Sequence, residues 1–122
     1  MSQGRFEDMD VWQDSMKFCE EIYELSEEED FSEDYGLTNQ IRKSALSIPS
    51  NIAEGFERDS DTEFARFLRI AKGSAGELRT QVDLACRIGY LSERTARKLL
   101  EEIEDISKQI YGLIQYLGDQ ES

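Results

Sequence analysis

The sequence contains no histidine. That removes the commonest general base and metal ligand. A Ser-His or Cys-His nucleophile is excluded, zinc and haem sites are not expected, and no cofactor is anticipated. Proline occurs once, at Pro49. The two cysteines, Cys19 and Cys86, have no CxxC spacing and fall on helical apolar positions. They read as buried free thiols in a reducing cytoplasm. Apolar runs extend only a few residues, far short of the roughly 20 needed to span a bilayer. The first five residues, Met1 to Arg5, lack the apolar segment of a secretory signal. A cytoplasmic protein without membrane attachment is expected. Positive charge is also scarce: 14 Lys and Arg face 27 Asp and Glu, for a net charge of −13. Such a balance disfavours non-specific attraction to nucleic acid.

What is present points to helices. The 122 residues suit one domain, and 39% are hydrophobic, enough for a core if arranged in stripes. Residues 1–9 read as a flexible N-terminus, 10–118 as the folded domain and 119–122 as a tail. Asp10 and Gln13 suggest a capping box for a first helix. Val11, Phe18, Ile22 and Leu25 form one stripe of that helix, with Trp12, Met16, Cys19 and Tyr23 beside it. The helix is expected to fade near Glu28. The run Glu27 to Gly36 reads as an acidic loop, and Thr38 or Asn39 as the cap of the second helix. Leu37, Ile41, Ala45, Ile48, Ile52 and Phe56 mark the buried face of that helix, which Gly55 or the segment near Arg58 ends.

Ser60-Asp61-Thr62-Glu63 is a clear capping box. Phe64, Leu68, Ala71, Ala75, Leu78, Val82 and Ala85 then follow at 4-3-4-3 spacing, the seam of coiled-coil-like packing. Gly73 and Gly76 interrupt this third helix at a cost of roughly 1 kcal/mol each, which suggests close approach of another helix. It ends at Ile88-Gly89. Ser92 caps the fourth, where Ala96, Leu99, Ile103, Ile106, Ile110, Leu113 and Leu117 repeat the seam. The expected architecture is all-α: an antiparallel up-down-up-down four-helix bundle, with its second helix kinked near Pro49. The wide apolar faces of the first and last helices point to a homo-oligomer.

The stretch from Ser47 to Phe56 is the least ordinary. It sets Ser50, Asn51 and Glu54 among apolar residues around Pro49. Asn51, Glu54 and Arg58 fall at i, i+3 and i+7, on one helical face. Ser74 and Glu77 fall at i and i+3 on the third helix. These five residues are expected to form a structural polar network joining the two helices. Such a network specifies register when every member is satisfied. A catalytic use of Glu54 and Glu77 as paired carboxylates is the remote alternative, since no activated nucleophile, base or metal set completes a reacting geometry.

Charge is unevenly spread. Glu20 to Asp34 holds nine carboxylates and no cation, whereas Arg42 to Lys98 holds eleven cations against eight carboxylates. Solubility accounts for such a surface, and capture of cations or of a basic protein is the sharper reading. In an antiparallel bundle the acidic segment shares one end with Arg42, Lys43, Arg87, Arg94, Arg97 and Lys98, while Arg58, Arg66 and Arg69 lie toward the other. The candidate nucleic-acid contacts are therefore Arg42, Lys43, Arg58, Arg66, Arg69, Arg94, Arg97 and Lys98, each diluted by nearby carboxylates.

The chain resembles the 23S rRNA-intervening-sequence proteins, small bacterial four-helix-bundle proteins. The resemblance is carried by Tyr35-Gly36-Leu37-Thr38-x-Gln40-Ile41-Arg42-Lys43 and Ser44-Ala45-Leu46-Ser47-Ile48-Pro49-Ser50-Asn51-Ile52-Ala53-Glu54-Gly55. It continues in Arg58-x-Ser60, Glu63-Phe64, Phe67-Leu68-x-Ile70-Ala71-x-Gly73-Ser74, Glu77-Leu78, Thr80-Gln81 and Ile88-Gly89-Tyr90-Leu91. It implies a bundle that assembles into a ring, commonly a homopentamer, and it does not imply an enzyme. A related branch, the accessory proteins of diversity-generating retroelements, consists of basic barrels that bind nucleic acid and a reverse transcriptase. The net charge of −13 departs from that branch. The expected function is thus a non-enzymatic oligomeric scaffold or adaptor, with an RNA- or DNA-associated accessory factor as the alternative.

Overall fold

The computed structural model describes residues 4–121, with side chains to residue 118. Every regular element among the described residues is helical. A 3-10 turn at Phe6–Asp8 precedes α1 (Asp10–Leu25), α2 (Glu29–Glu33), α3 (Tyr35–Phe56), α4 (Asp61–Arg87) and α5 (Glu93–Glu121). α3 packs on α4, α4 on α5, and α1 on both α3 and α5. This packing is compatible with a helical bundle. No helix among the described residues is long and apolar enough to cross a membrane.

The core follows the apolar stripes. Ile22, Ile41, Ile48, Ile52, Leu68, Leu78, Val82, Leu99, Ile103 and Ile110 are fully buried. Each comes from a position repeating every three or four residues, the spacing that keeps side chains on one helical face. Phe64 and Leu113, also on the expected seams, are only half-buried.

Helix ends follow local chemistry. Ser60 Oγ accepts from Glu63 N at 2.9 Å and starts α4, and Ser92 Oγ accepts from Thr95 N at 3.1 Å before α5. α4 closes in a Schellman turn: Tyr90 N donates to Ala85 O and Gly89 N to Cys86 O. Gly89 adopts φ +88° there, a conformation that glycine accepts without a Cβ penalty. The start of α1 differs from expectation. Met9, not Asp10, is the cap residue, and Gln13 reaches back to Glu7 O at 2.8 Å.

The acidic run between Glu27 and Gly36 is not wholly a loop. Its centre folds as α2 because Phe31 is buried against the bundle, 2% exposed, while Glu27 to Asp30 stay in water. The Phe31 ring stacks on Tyr90 with centroids 5.2 Å apart. Asp34 caps α3 by accepting from Leu37 N at 3.0 Å. Thr38, anticipated as a possible cap, is instead buried and donates to Phe31 O at 2.9 Å. Tyr90 OH donates to Asp34 Oδ2 at 2.9 Å, so the α4–α5 turn holds the acidic segment in place.

α3 continues through Pro49, which is buried, and ends at Phe56. Gly55 lies inside this helix and does not terminate it. A Cβ at this position would sit 2.9 Å from both Phe64 Cδ1 and Phe67 Cβ. The glycine is what permits α3 and α4 to approach.

Two predictions follow from these contacts. Gly55→Ala forces the helices apart and should cost about 1–3 kcal/mol in urea unfolding; an unchanged midpoint would contradict the close approach. The second concerns acid. The Leu37 backbone bond and then the Tyr90 hydroxyl hold the Asp34 carboxyl below its ordinary range. A lowered folded value gives stability that is present above the unfolded value and lost as pH falls through the folded one. Tyr90→Phe should shrink that acid-dependent loss when unfolding is followed across pH.

Candidate functional site

The polar groups of the α3–α4 seam are organised by Ser47. Its Oγ lies 2.7 Å from Ser74 Oγ. Asn51 Nδ2 donates to Ser47 O at 2.8 Å and to Ser47 Oγ at 3.0 Å. Asn51 and Ser74 are thus brought together through Ser47, a residue that spacing alone did not single out. The available signal was that Ser47 lies four residues before Asn51, one turn away on the same face. Ser74 is 6% exposed, so its hydroxyl needs this partner.

Glu54 and Arg58 continue the α3 face but turn outward. They form an ion pair at 2.8 Å with both side chains substantially exposed, an arrangement worth little in water. The Arg58 guanidinium also lies over the Phe67 ring, 4.8 Å from its centroid. Glu77 is exposed and takes no part in the Ser47–Asn51–Ser74 bonds. The seam therefore joins two hydroxyls and an amide, groups that fix register and carry no general base.

The eight candidate nucleic-acid cations divide evenly. Arg42 Nε donates to Ser26 Oγ at 2.8 Å and Nη2 to Tyr23 O at 3.3 Å. It also stacks over the Tyr23 ring, fastening the end of α1 to α3. Arg58 pairs with Glu54. Arg66 pairs with Glu63 at 3.1 Å and lies over Phe67, and its hydrogen bond holds the Glu63 carboxyl below the ordinary range. Lys98 is held by Glu21 and Glu102, and both carboxylates raise its ammonium above the ordinary lysine range. Lys43, Arg69, Arg94 and Arg97 are exposed, with no ion pair among the described residues.

Apolar residues also reach the surface. Leu46 on α3 and Ile70, Leu84 and Ile88 at or just beyond α4 are 44–48% exposed. Ile70, Leu84 and Ile88 are spaced by 14 and 4 residues, which places them on one helical face. Gly73 and Gly76 do not receive a neighbouring helix of this chain: no atom lies within 4 Å of a Cβ built at either. The small residues that do face the core are Ala71, Ser74 and Ala75.

Cys19 is buried and Cys86 half-buried, both as free thiols. Burial, then the neighbouring Glu20, pushes the Cys19 thiol up. Among the described residues, no cluster of three Cys, Asp or Glu side chains could hold a metal ion.

A double-mutant cycle measures the Ser47–Ser74 tie. Ser47→Ala and Ser74→Ala should each cost about 1 kcal/mol, with a coupling of about 0.5 kcal/mol or more between them. Strictly additive losses in urea unfolding would remove the bond from the account.

None of the curated proteins matches the chain. Among solved structures, it is similar to a protein of unknown function of the S23 ribosomal protein family from Bacteroides thetaiotaomicron VPI-5482. The two share 25% identity at a TM-score of 0.78, over 85% of this chain and 97% of the other. The family model for the 23S rRNA-intervening sequence protein matches residues 7–112. With nearly the whole helical domain inside that match, the chain belongs to the 23S rRNA-intervening sequence protein family.

Proposed function

We propose that this protein is a non-enzymatic, cytoplasmic, oligomeric scaffold or adaptor for another macromolecule. Its four long helices, α1, α3, α4 and α5, form an antiparallel up-down-up-down bundle with α3 kinked at Pro49. Supporting this path, Phe6 just before α1 meets Phe56 at the end of α3, and Arg42 near the start of α3 meets Tyr23 near the end of α1. Ser47–Ser74 and Gly55–Phe64 give the same opposed order for α3 and α4.

The observation that carries the oligomer is the exposed face of Ile70, Leu84 and Ile88, with Leu46 of α3 exposed as well. These large side chains are 44–48% exposed, and nothing stands within 4 Å of a Cβ built at Gly73 or Gly76 of α4. Another copy of the chain covers this face, and five copies in a ring is the arrangement that the family resemblance implies. No catalytic role is assigned. Glu54 is occupied by Arg58, and the seam hydroxyls have no base to activate them.

Light scattering at micromolar concentration tests the assembly. The wild type should give a multiple of 14.1 kDa. The double variant Ile70→Glu, Leu84→Glu should fall to the monomer mass with its helical circular dichroism intact. A monomeric wild type would remove the ring and most of the scaffold reading.

A second reading is favoured by four of the candidate cations, Lys43, Arg69, Arg94 and Arg97, which are exposed and form no ion pair among the described residues. An RNA- or DNA-associated factor would use them as phosphate contacts. Binding to ribosomal RNA should then be measurable at about 50 mM salt and fall steeply as salt rises. Absence of binding at that salt would remove this alternative.

A further inference from the structure

The seam between α1 and α5 carries an arrangement that neither the assembly nor nucleic-acid binding uses. Lys98 of α5 donates to Glu21 across the seam and to Glu102 of its own helix at 3.1 Å. Asp14, Lys17 and Glu21 from α1 and Glu102 and Asp105 from α5 line a cavity of about 190 Å³ together with the apolar Phe18 and Ile106. A second tie crosses the same seam, from Gln109 Nε2 to Asp14 Oδ2 at 3.0 Å.

Glu102 divides its two oxygens. Oε2 takes the Lys98 ammonium, while Oε1 is shielded from water and has no hydrogen-bond partner. A buried acceptor left without a donor is destabilising. One change supplies the missing bond without moving a helix: a proton on Glu102, which makes the carboxyl a donor to the Glu21 carboxylate beside it.

We propose that Glu21, Lys98 and Glu102 form a proton-operated clasp that sets how tightly α1 is held on α5. When Glu102 is ionised, two carboxylates share one ammonium and one buried oxygen goes unpaired. When Glu102 takes a proton from solvent, Lys98 stays with Glu21 and the new O–H bridges the carboxyl pair. That bond holds the seam shut over Phe18 and Ile106, which are each 2% exposed.

The electrostatics run in the same direction. Burial, followed by the Glu21 carboxylate, holds the Glu102 carboxyl above the usual glutamate range, against the pull of Lys98. A raised folded value gives stabilisation that is fully present below the unfolded value and lost as pH rises through the folded one. Asp34 and Glu63 are shifted the opposite way, so the clasp must be read locally at α1 and not from global unfolding.

The test uses the full chain. Amide exchange protection of α1, corrected for intrinsic rates, is followed by NMR as pH falls from about 7.5 to about 5, with the Glu102 carboxyl titrated in the same samples. Protection in the wild type should rise severalfold, with a midpoint matching that carboxyl. Glu102→Gln, which carries a permanent donor, should show the high protection throughout and no pH dependence. Parallel profiles for the wild type and Glu102→Gln would overturn the clasp. Glu21→Gln provides a second variant that does not depend on Glu102→Gln folding. It should move the Glu102 midpoint down toward the ordinary glutamate range and flatten the α1 profile. A midpoint unmoved by Glu21→Gln would equally overturn it. The assembly is read separately by mass, so failure of the clasp leaves the oligomer reading standing.

Discussion

The distance between α3 and α4 is the constraint from which much of the remaining structure follows. At one end Gly55 lets the backbone of α3 come within van der Waals reach of Phe64 and Phe67. Further along, Ser47 and Ser74 can reach each other at 2.7 Å only because the helices are already that close. Two large apolar side chains at these positions would hold the axes farther apart. The consequences extend along both helices. Ile48 and Ile52 on one side and Leu68, Ala71 and Ala75 on the other are sealed from water. Asn51 meets its donor requirement within α3 and its hydroxyl partner at the seam. Packing therefore brings the helices close, and the polar bonds then fix their register.

Charge in this protein is mostly short-range. A net charge of −13 suggests a uniformly repelling surface, yet several cations are matched to carboxylates one helical turn away. Arg58, Arg66, Arg87 and Lys108 are of this kind. Such exposed pairs contribute little stability, and salt screens them further. Their effect is to neutralise arginines and lysines that would otherwise project a positive field. Two cations make hydrogen bonds from one helix to another. Arg42 ties α3 to the closing turn of α1, and Lys98 links α5 to α1.

The helical class, most helix bounds, the two seams and the Ser60 cap were legible because they depend on local spacing and local hydrogen bonds. The family was legible because the string around Pro49 is long and specific. The parts that were not legible are those decided by distant partners. Phe31 lies in an acidic run that local composition marks as a loop, and it joins the core through Tyr90 on the α4–α5 turn and Thr38 on α3. Gly55 looks like a helix stop until the Phe64 side chain is placed against it. Ser47 is one serine among several, and its importance depends on where Ser74 falls across the seam. Gly73 and Gly76 signalled a close neighbour, but within one chain they face open space. Spacing states which side of a helix a residue occupies, not what stands opposite.

The stacking of Phe31 on Tyr90 has a further consequence for how the chain acquires its shape. Tyr90 lies 56 residues beyond Asp34, the residue that its hydroxyl holds. While the chain is being made, the acidic segment emerges long before the turn that pins it. α2 spans only five residues, too short to persist alone in water. Until α4 has been completed and reversed at Gly89, its ties are the local ones to α3, from Thr38 to Phe31 O and from Leu37 N to Asp34. The remote turn adds the Tyr90 stack and hydrogen bond to those local ties. One ring and one hydroxyl of Tyr90 thus join the last-made turn to the earliest acidic stretch.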